Sequence, residues 1–199
     1  MSKEISLDRI AVFCGSSSGN DMAITDAAQK LGQLLVAQQI ELVYGAAKIG
    51  VMGEIAKAVL DAGGYVTGVI PEFLKRKEVV HLGLSELITT KNMHQRKLIM
   101  SERSDGFIAL PGGFGTLEEL FEIITWSQLG LHQKPVGLLN INGFYDPLIN
   151  LLEGMVRKGF LKMENFEILL VATEPEQLLD KMRSFVPKNV PKWLTQDRT

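Results

Sequence analysis

The chain has 199 residues, enough for one domain with one sizeable core. Hydrophobic residues make up 46% and charged residues 22%, which places it among globular rather than disordered chains. A formal net charge of −2 gives no general attraction to nucleic acid or to an anionic membrane, and neither is expected as a partner.

The polar start MSKEISLDR lacks the apolar core of a signal peptide. No apolar run approaches the roughly 20 residues that span a bilayer. A soluble, cytoplasmic protein is the expectation. Ile10–Cys14 (IAVFC) reads as the first strand, followed by the loop GSSSGN. Cys14 has no second cysteine to pair with and lies in this apolar run, so a buried, unreactive thiol is expected. Asp21–Gln39 has helical spacing, with Ala28, Leu31, Leu35 and Ala37 among its apolar positions. Glu41–Tyr44 (ELVY) is a second strand. The loop GAAKIGVMG leads into a helix that ends near Ala62, where Gly63 and Gly64 suit a left-handed C-cap. Tyr65–Ile70 (YVTGVI) is a third strand, stopped by Pro71. Segment 71–90 shows only a short strand at SELITT. Asn92–Ser104 reads as a helix and Gly106–Leu110 (GFIAL) as a strand. The next helix runs to Leu129 and is closed by Gly130. Pro135–Leu139 and Ile168–Val171 read as strands, Tyr145–Lys158 and Pro175–Ser184 as helices. The tail 185–199, with Trp193, reads as extended.

Strand and helix thus alternate about six times. The strands are continuously apolar, which predicts burial on both faces. Parallel strands joined by right-handed helical crossovers give a doubly wound, mainly parallel α/β sheet with helices on both faces. One domain over 1–199 is expected.

Ligands bind such sheets beyond the carboxyl ends of the strands. The glycine-rich loops fall there: GSSSG, GAAKIGVMG and PGGFGT. The last is the strongest. Gly112, Gly113 and Gly115 let a backbone approach a ligand closely, and the helix that follows offers unpaired N–H groups and a partial positive charge. That combination is an anion site, most often for phosphate. Thr116 can add a hydroxyl, and Ser16 and Gly45 enter from the other two loops. The glutamates have two readings. Thr116-Leu117-Glu118-Glu119 fits a capping box, with Thr116 as N-cap and Glu119 at N3. Alternatively Glu119 is a catalyst, which must then point sideways from the phosphate.

A second cluster, KNMHQRKLIM, packs Lys91, His94, Arg96 and Lys97 around a helix start. Cations there oppose the helix dipole. They call for an anionic partner, either a ligand or carboxylates such as Glu118 or Glu119. His81, His94 and His132 show no zinc-type spacing, and no metal site is expected.

With both clusters in view, the chain resembles the LONELY GUY (LOG) family, also called lysine decarboxylase-like. Pro111–Glu119 matches the signature P-G-G-x-G-T-x-x-E at every fixed position, and Met93–Lys97 matches M-H-x-R-K. The loop after the second strand resembles Y-G-G-x-x-x-G-x-M-G, except that Ala46 replaces the second glycine, leaving less room for backbone–ligand contact. The resemblance covers about residues 8–182 and implies a Rossmann-like fold. It implies hydrolysis of the N-glycosidic bond of nucleoside 5′-monophosphates, N6-substituted adenosine monophosphates above all, to free base and ribose 5-phosphate. No cofactor is implied. It makes Arg96 and Glu119 the catalytic pair. Glu78, Lys97, Gly112, Gly113, Phe114, Gly115, Thr116, Leu117, Glu118 and Thr125 would line the nucleotide site, with Glu78 accepting from ribose hydroxyls. A non-catalytic nucleotide or cofactor carrier of the same superfamily is the alternative. An amino-acid decarboxylase, with Lys97 or Lys48 as Schiff-base lysine, is the other.

Helix 117–129 is apolar on more than one face. Leu117, Leu120, Phe121, Ile124 and Leu129 can form a core-facing stripe, with Ile123 and Trp126 partly outside it. A homodimer is the expected cover, as the resemblance also implies; Trp193 of the tail is the alternative cover.

Overall fold

A computed structural model describes residues 5–75 and 80–187. Seven strands form one all-parallel sheet in the order β4-β3-β2-β1-β5-β6-β7. They are β1 Arg9–Phe13, β2 Glu41–Tyr44, β3 Val66–Pro71, β4 Glu86–Thr90, β5 Gly106–Ala109, β6 Val136–Leu139 and β7 Leu169–Ala172. The helices are α1 Met22–Ala37, α2 Gly50–Asp61, α3 Glu72–Lys75, α4 Met93–Glu102, α5 Phe114–Gln128, α6 Asp146–Arg157, α7 Met163–Phe166 and α8 Pro175–Arg183.

The strand order explains the two-sided core. From β1 the chain steps outward to β4, then returns to place β5 beside β1. Right-handed crossovers in opposite directions put their helices on opposite faces. Successive strand residues alternate between those faces. Ile10, Val12, Leu42, Tyr44, Ile108 and Leu110 face α1, α2 and α8, meeting Leu31, Ile55 and Leu178. Ala11, Phe13, Val43, Phe107 and Ala109 face the other layer, meeting Met100 of α4, Leu120 and Ile123 of α5 and Leu152 of α6. The central strands carry no polar face because both faces are covered. The fold is Rossmann-like. The reversal between β1 and β5 makes a crevice at their carboxyl ends, where such sheets place ligands.

The expected elements stand within a residue or two of their observed ends, except α5, which starts at Phe114, three residues before the expected Leu117. Segment 71–90 gains the short helix α3, and SELITT contains β4, which pairs in parallel with β3. The two-turn link between α6 and β7 contains α7, which the sequence reading left blank. Gly63 takes φ +79° just past α2, as its C-cap role requires. Among the described residues, no helix is long and apolar enough to cross a membrane. Residues 188–199, with Trp193, lie outside the described residues.

The core stripe of α5 differs from the expected one. Thr116, Leu120, Ile123 and Ser127 are its buried positions, spaced four, three and four residues apart as one helical face requires. Ile123 is therefore core. Phe121 is 37% exposed and Leu117 and Ile124 are only half-buried. Two hydroxyl residues sit on the buried stripe, so it is turned from the one hydrophobicity alone picks out, although Leu117 and Ile124 still pack against the core at its edge.

Candidate active site

The three glycine-rich loops meet at Gly15. Its N–H donates to the Pro111 carbonyl at 3.2 Å, and its carbonyl accepts from the Met52 N–H at 3.1 Å. The loops after β5 and β2 are thereby tied to the loop after β1. At Gly50, φ is +65° and a Cβ would run into the backbone of Ser16, so this crossing needs glycine twice over. Ser16 itself is exposed at the junction.

The loop after β5 divides its glycines between two tasks. A Cβ on Gly112 would overlap the hydroxyl of Thr116 and lie 2.8 Å from the N atom of Gly15, so Gly112 serves packing. Gly113 and Gly115 face open space. Helix α5 starts here, with Gly113 as N-cap and no side-chain cap. This corrects the capping-box reading. The helix begins before Thr116, which is buried at its third position, so Glu119 caps nothing. Leu117 N–H bonds the Gly113 carbonyl at 3.2 Å. The N–H groups of Phe114, Gly115 and Thr116 thus precede the first closed turn and have no helical carbonyl. Open glycines beside a bare helix start are suited to hold an anion. Phe114 stands beside it, 91% exposed.

Helix α4 supplies the cations. Asn92 caps it, its side-chain oxygen accepting from the Gln95 N–H at 2.9 Å. One turn later Arg96 and Lys97 are buried against α5, at 8% and 9% exposure. The carboxylates expected to accompany them are present. Arg96 Nη2 lies 3.7 Å from Glu119 Oε1. Lys97 Nζ lies 2.5 Å from Glu118 Oε1 and 2.9 Å from Glu122 Oε1. Among the described residues, Arg96 Nε is buried without a partner and its Nη1 has only the sulfur of Met93 at 3.9 Å. A guanidinium so sparsely bonded keeps donors for something else.

Burial pushes the Glu119 carboxyl up to about 7; Arg96 pulls it back, Glu118 and Glu122 raise it further, and Lys97 opposes them. Glu119 thus exchanges its proton near neutral pH, the range a general base or acid needs. Burial also opposes charge on Lys97, but its hydrogen bonds to Glu118 and Glu122 outweigh this and hold its pKa above the ordinary lysine range. Cys14 is buried, and burial followed by the charge of Glu119 raises its pKa well above that of a free thiol. It is the inert thiol its apolar surroundings imply.

The structure thus gathers Ser16, Gly45, Arg96, Lys97 and Gly112–Glu119 at the carboxyl end of β1, β2 and β5. Glu119 points sideways to Arg96 of α4. Thr125 lies further along α5, exposed, its hydroxyl donating to the Phe121 carbonyl at 2.7 Å. Glu78 lies outside the described residues. His94 is exposed. Among the described residues, no group of histidine, cysteine and carboxylate side chains is arranged to hold a metal. Ala46 has φ +67° and is fully buried, its Cβ packed towards Gly68. Its methyl group thus faces the interior. Glu122 went unnoticed in the sequence. Its spacing of four from Glu118 on one helix was the available signal.

A switch-point sheet edge with an open helix start, beside a largely buried Arg–Glu pair, makes a site suited to an anion and to proton transfer on an α/β fold. The family model described as "Possible lysine decarboxylase" matches residues 52–182. A cytokinin riboside 5′-monophosphate phosphoribohydrolase of Arabidopsis thaliana, LOG2, is 50% identical over 181 residues, 91% of this chain and 85% of that protein. A probable enzyme of the same name from Oryza sativa subsp. japonica, LOGL1, is 51% identical over 177 residues, 89% of this chain and 79% of that protein. The chain belongs to this LOG family. Among solved structures, a molybdenum cofactor binding protein from Rippkaea orientalis superposes with a TM-score of 0.67 at 24% identity, covering 90% of this chain and 98% of that one. The Moco carrier protein of Chlamydomonas reinhardtii gives 0.66 at 20% identity, covering 90% and 97%. At those identities the likeness is one of fold.

Proposed function

We propose that the protein hydrolyses the N-glycosidic bond of nucleoside 5′-monophosphates, N6-substituted adenosine monophosphates among them, to free base and ribose 5-phosphate. The observation that carries this reading is the buried Arg96–Glu119 pair standing beside the open start of α5. The 5′-phosphate takes the N–H groups at Gly113–Thr116, so that binding energy remote from the reacting bond holds the sugar in place. As the bond from C1′ to the base nitrogen breaks, positive charge grows on the ribose. The carboxylate of Glu119 stabilises it and takes a proton from the attacking water, whose oxygen bonds to C1′; the departing base gains a proton. Arg96 orients Glu119 and has donors left for the substrate.

The relatives' names support the substrate class. A decarboxylase is disfavoured because a Schiff-base lysine must lose its proton, whereas Lys97 is held charged between two carboxylates. The carrier alternative rests on likeness of fold alone. The reading includes a homodimer. The outer face of α5, with Phe114 and Phe121, and Leu151 of α6 present apolar surface that a second copy would cover. Release of base from nucleoside monophosphates, followed by chromatography, tests the reaction.

A further inference from the structure

Two ion pairs lie side by side between α4 and α5, and they are unequal. Arg96 holds one carboxylate, Glu119, loosely at 3.7 Å. Lys97, next in sequence, is closed by two, Glu118 at 2.5 Å and Glu122 at 2.9 Å. Glu122 lies three residues past the end of the signature and in none of the three loops. It is one turn beyond Glu118 on the same face of α5. Among the described residues its buried Oε2 has no partner, so only one of its oxygens is bonded, and that bond goes to Lys97.

We propose that Glu122 is a positioning residue for the reaction: it closes a two-carboxylate clamp on Lys97 that leaves Arg96 as the one cation, among the described residues, in contact with Glu119. The inference rests on the hydrolase reading above. Lys97 carries its charge on a flexible four-carbon stem. Released from Glu122, it is free to swing towards Glu119. A carboxylate shared between two cations is a poorer stabiliser of positive charge on a sugar and a weaker base. Among the described residues, the charged groups around Glu119 are few. Helix α4 contributes Arg96 and Lys97, and α5 contributes Glu118 and Glu122. Cys14 approaches from β1, with Tyr44 of β2 beside it; burial keeps both neutral through the physiological range. Among the described residues, the balance at Glu119 is thus set by two cations and two flanking carboxylates, and Glu122 is the one whose ion pair is with Lys97 alone.

The test is the titration midpoint of Glu119, read in ligand-free protein by carboxyl-carbon NMR and in turnover by the acidic limb of kcat/KM. Glu122→Gln removes a negative charge and loosens the clamp, so both midpoints fall by at least about half a pH unit. Glu122→Asp keeps the charge but is one methylene shorter, and it lands between wild type and the glutamine variant. An unmoved midpoint in a folded Glu122→Gln variant overturns the proposal, even if the rate falls uniformly at every pH, because that is the behaviour of a merely structural residue. Should the glutamine variant not fold, the aspartate variant decides: a lowered midpoint supports the clamp and an unmoved one overturns it. If wild type releases no base, the hydrolase reading fails, while the NMR midpoint still decides the clamp.

Discussion

Gly45 is the space that Arg96 fills: a Cβ at residue 45 would overlap Nη2 of the Arg96 guanidinium. The side chain that would have to yield is the end of a long, flexible arginine, so the fold tolerates a methyl group there while the site does not. Gly45→Ala is expected to fold with a melting temperature within a few degrees of wild type and to lose about 10²-fold or more in kcat/KM. Retained activity would show that the position of the guanidinium does not matter.

The raised Glu119 carboxyl couples stability to pH. A carboxyl that binds its proton more tightly when folded stabilises the protein fully below its unfolded value, about 4.5, and this contribution is lost as pH rises through about 7. Glu119→Gln mimics the protonated form and escapes the loss. At pH 8 the variant should therefore be the more stable protein, by about 1–3 kcal/mol, and the difference should vanish near pH 4. Its turnover should fall by 10²-fold or more. Urea denaturation of both proteins across pH 4–8 checks the stability claim; parallel curves would refute it.

Two neighbouring glycines should respond differently. Gly115 faces open space, so Gly115→Ala leaves stability unchanged or slightly raised, alanine being the better helix former by up to about 1 kcal/mol. The new methyl group projects towards the helix start, the proposed phosphate site, and KM for a nucleoside monophosphate should rise about tenfold or more. Gly112→Ala instead meets the Thr116 hydroxyl and the backbone of Gly15, and should cost about 1–3 kcal/mol of stability. Thermal melts and steady-state kinetics on the pair separate packing from binding.

Light scattering coupled to gel filtration at micromolar concentration should give twice the chain mass of 22.0 kDa. Phe121→Glu, placed on the outer face of α5, should reduce it to one chain. A single-chain mass for wild type would remove the dimer.

Much of this was legible in the sequence because each part has a local cause. Continuous apolar strands separated by helical spacing dictate a parallel doubly wound sheet, and glycine-rich loops after three of them mark its ligand edge. Arg96 and Lys97, set against the dipole of α4, demanded carboxylates, and those on α5 answer the demand. What stayed hidden depends on three-dimensional detail. The start of α5 is decided by Gly113 and the packing of Thr116 against Gly112, so a good capping box in sequence is not one in space. The buried stripe of α5 uses Thr116 and Ser127, which hydrophobicity counts as surface. The interior aim of the Ala46 methyl follows from a left-handed backbone that alanine rarely adopts.

The central claim is that the loop at Gly113–Thr116 holds a 5′-phosphate while Glu119 drives cleavage of the ribosyl bond. Wild-type protein and Glu119→Gln are incubated with N6-isopentenyl-AMP, AMP, GMP and CMP, and with the unphosphorylated N6-isopentenyladenosine, and released base and ribose 5-phosphate are quantified. The account predicts base and ribose 5-phosphate in equal amounts from a monophosphate, without added metal, a much lower rate from the nucleoside, and almost none with the variant. A nucleotide recovered intact after hours with wild type, or equal rates with and without the 5′-phosphate, would contradict it.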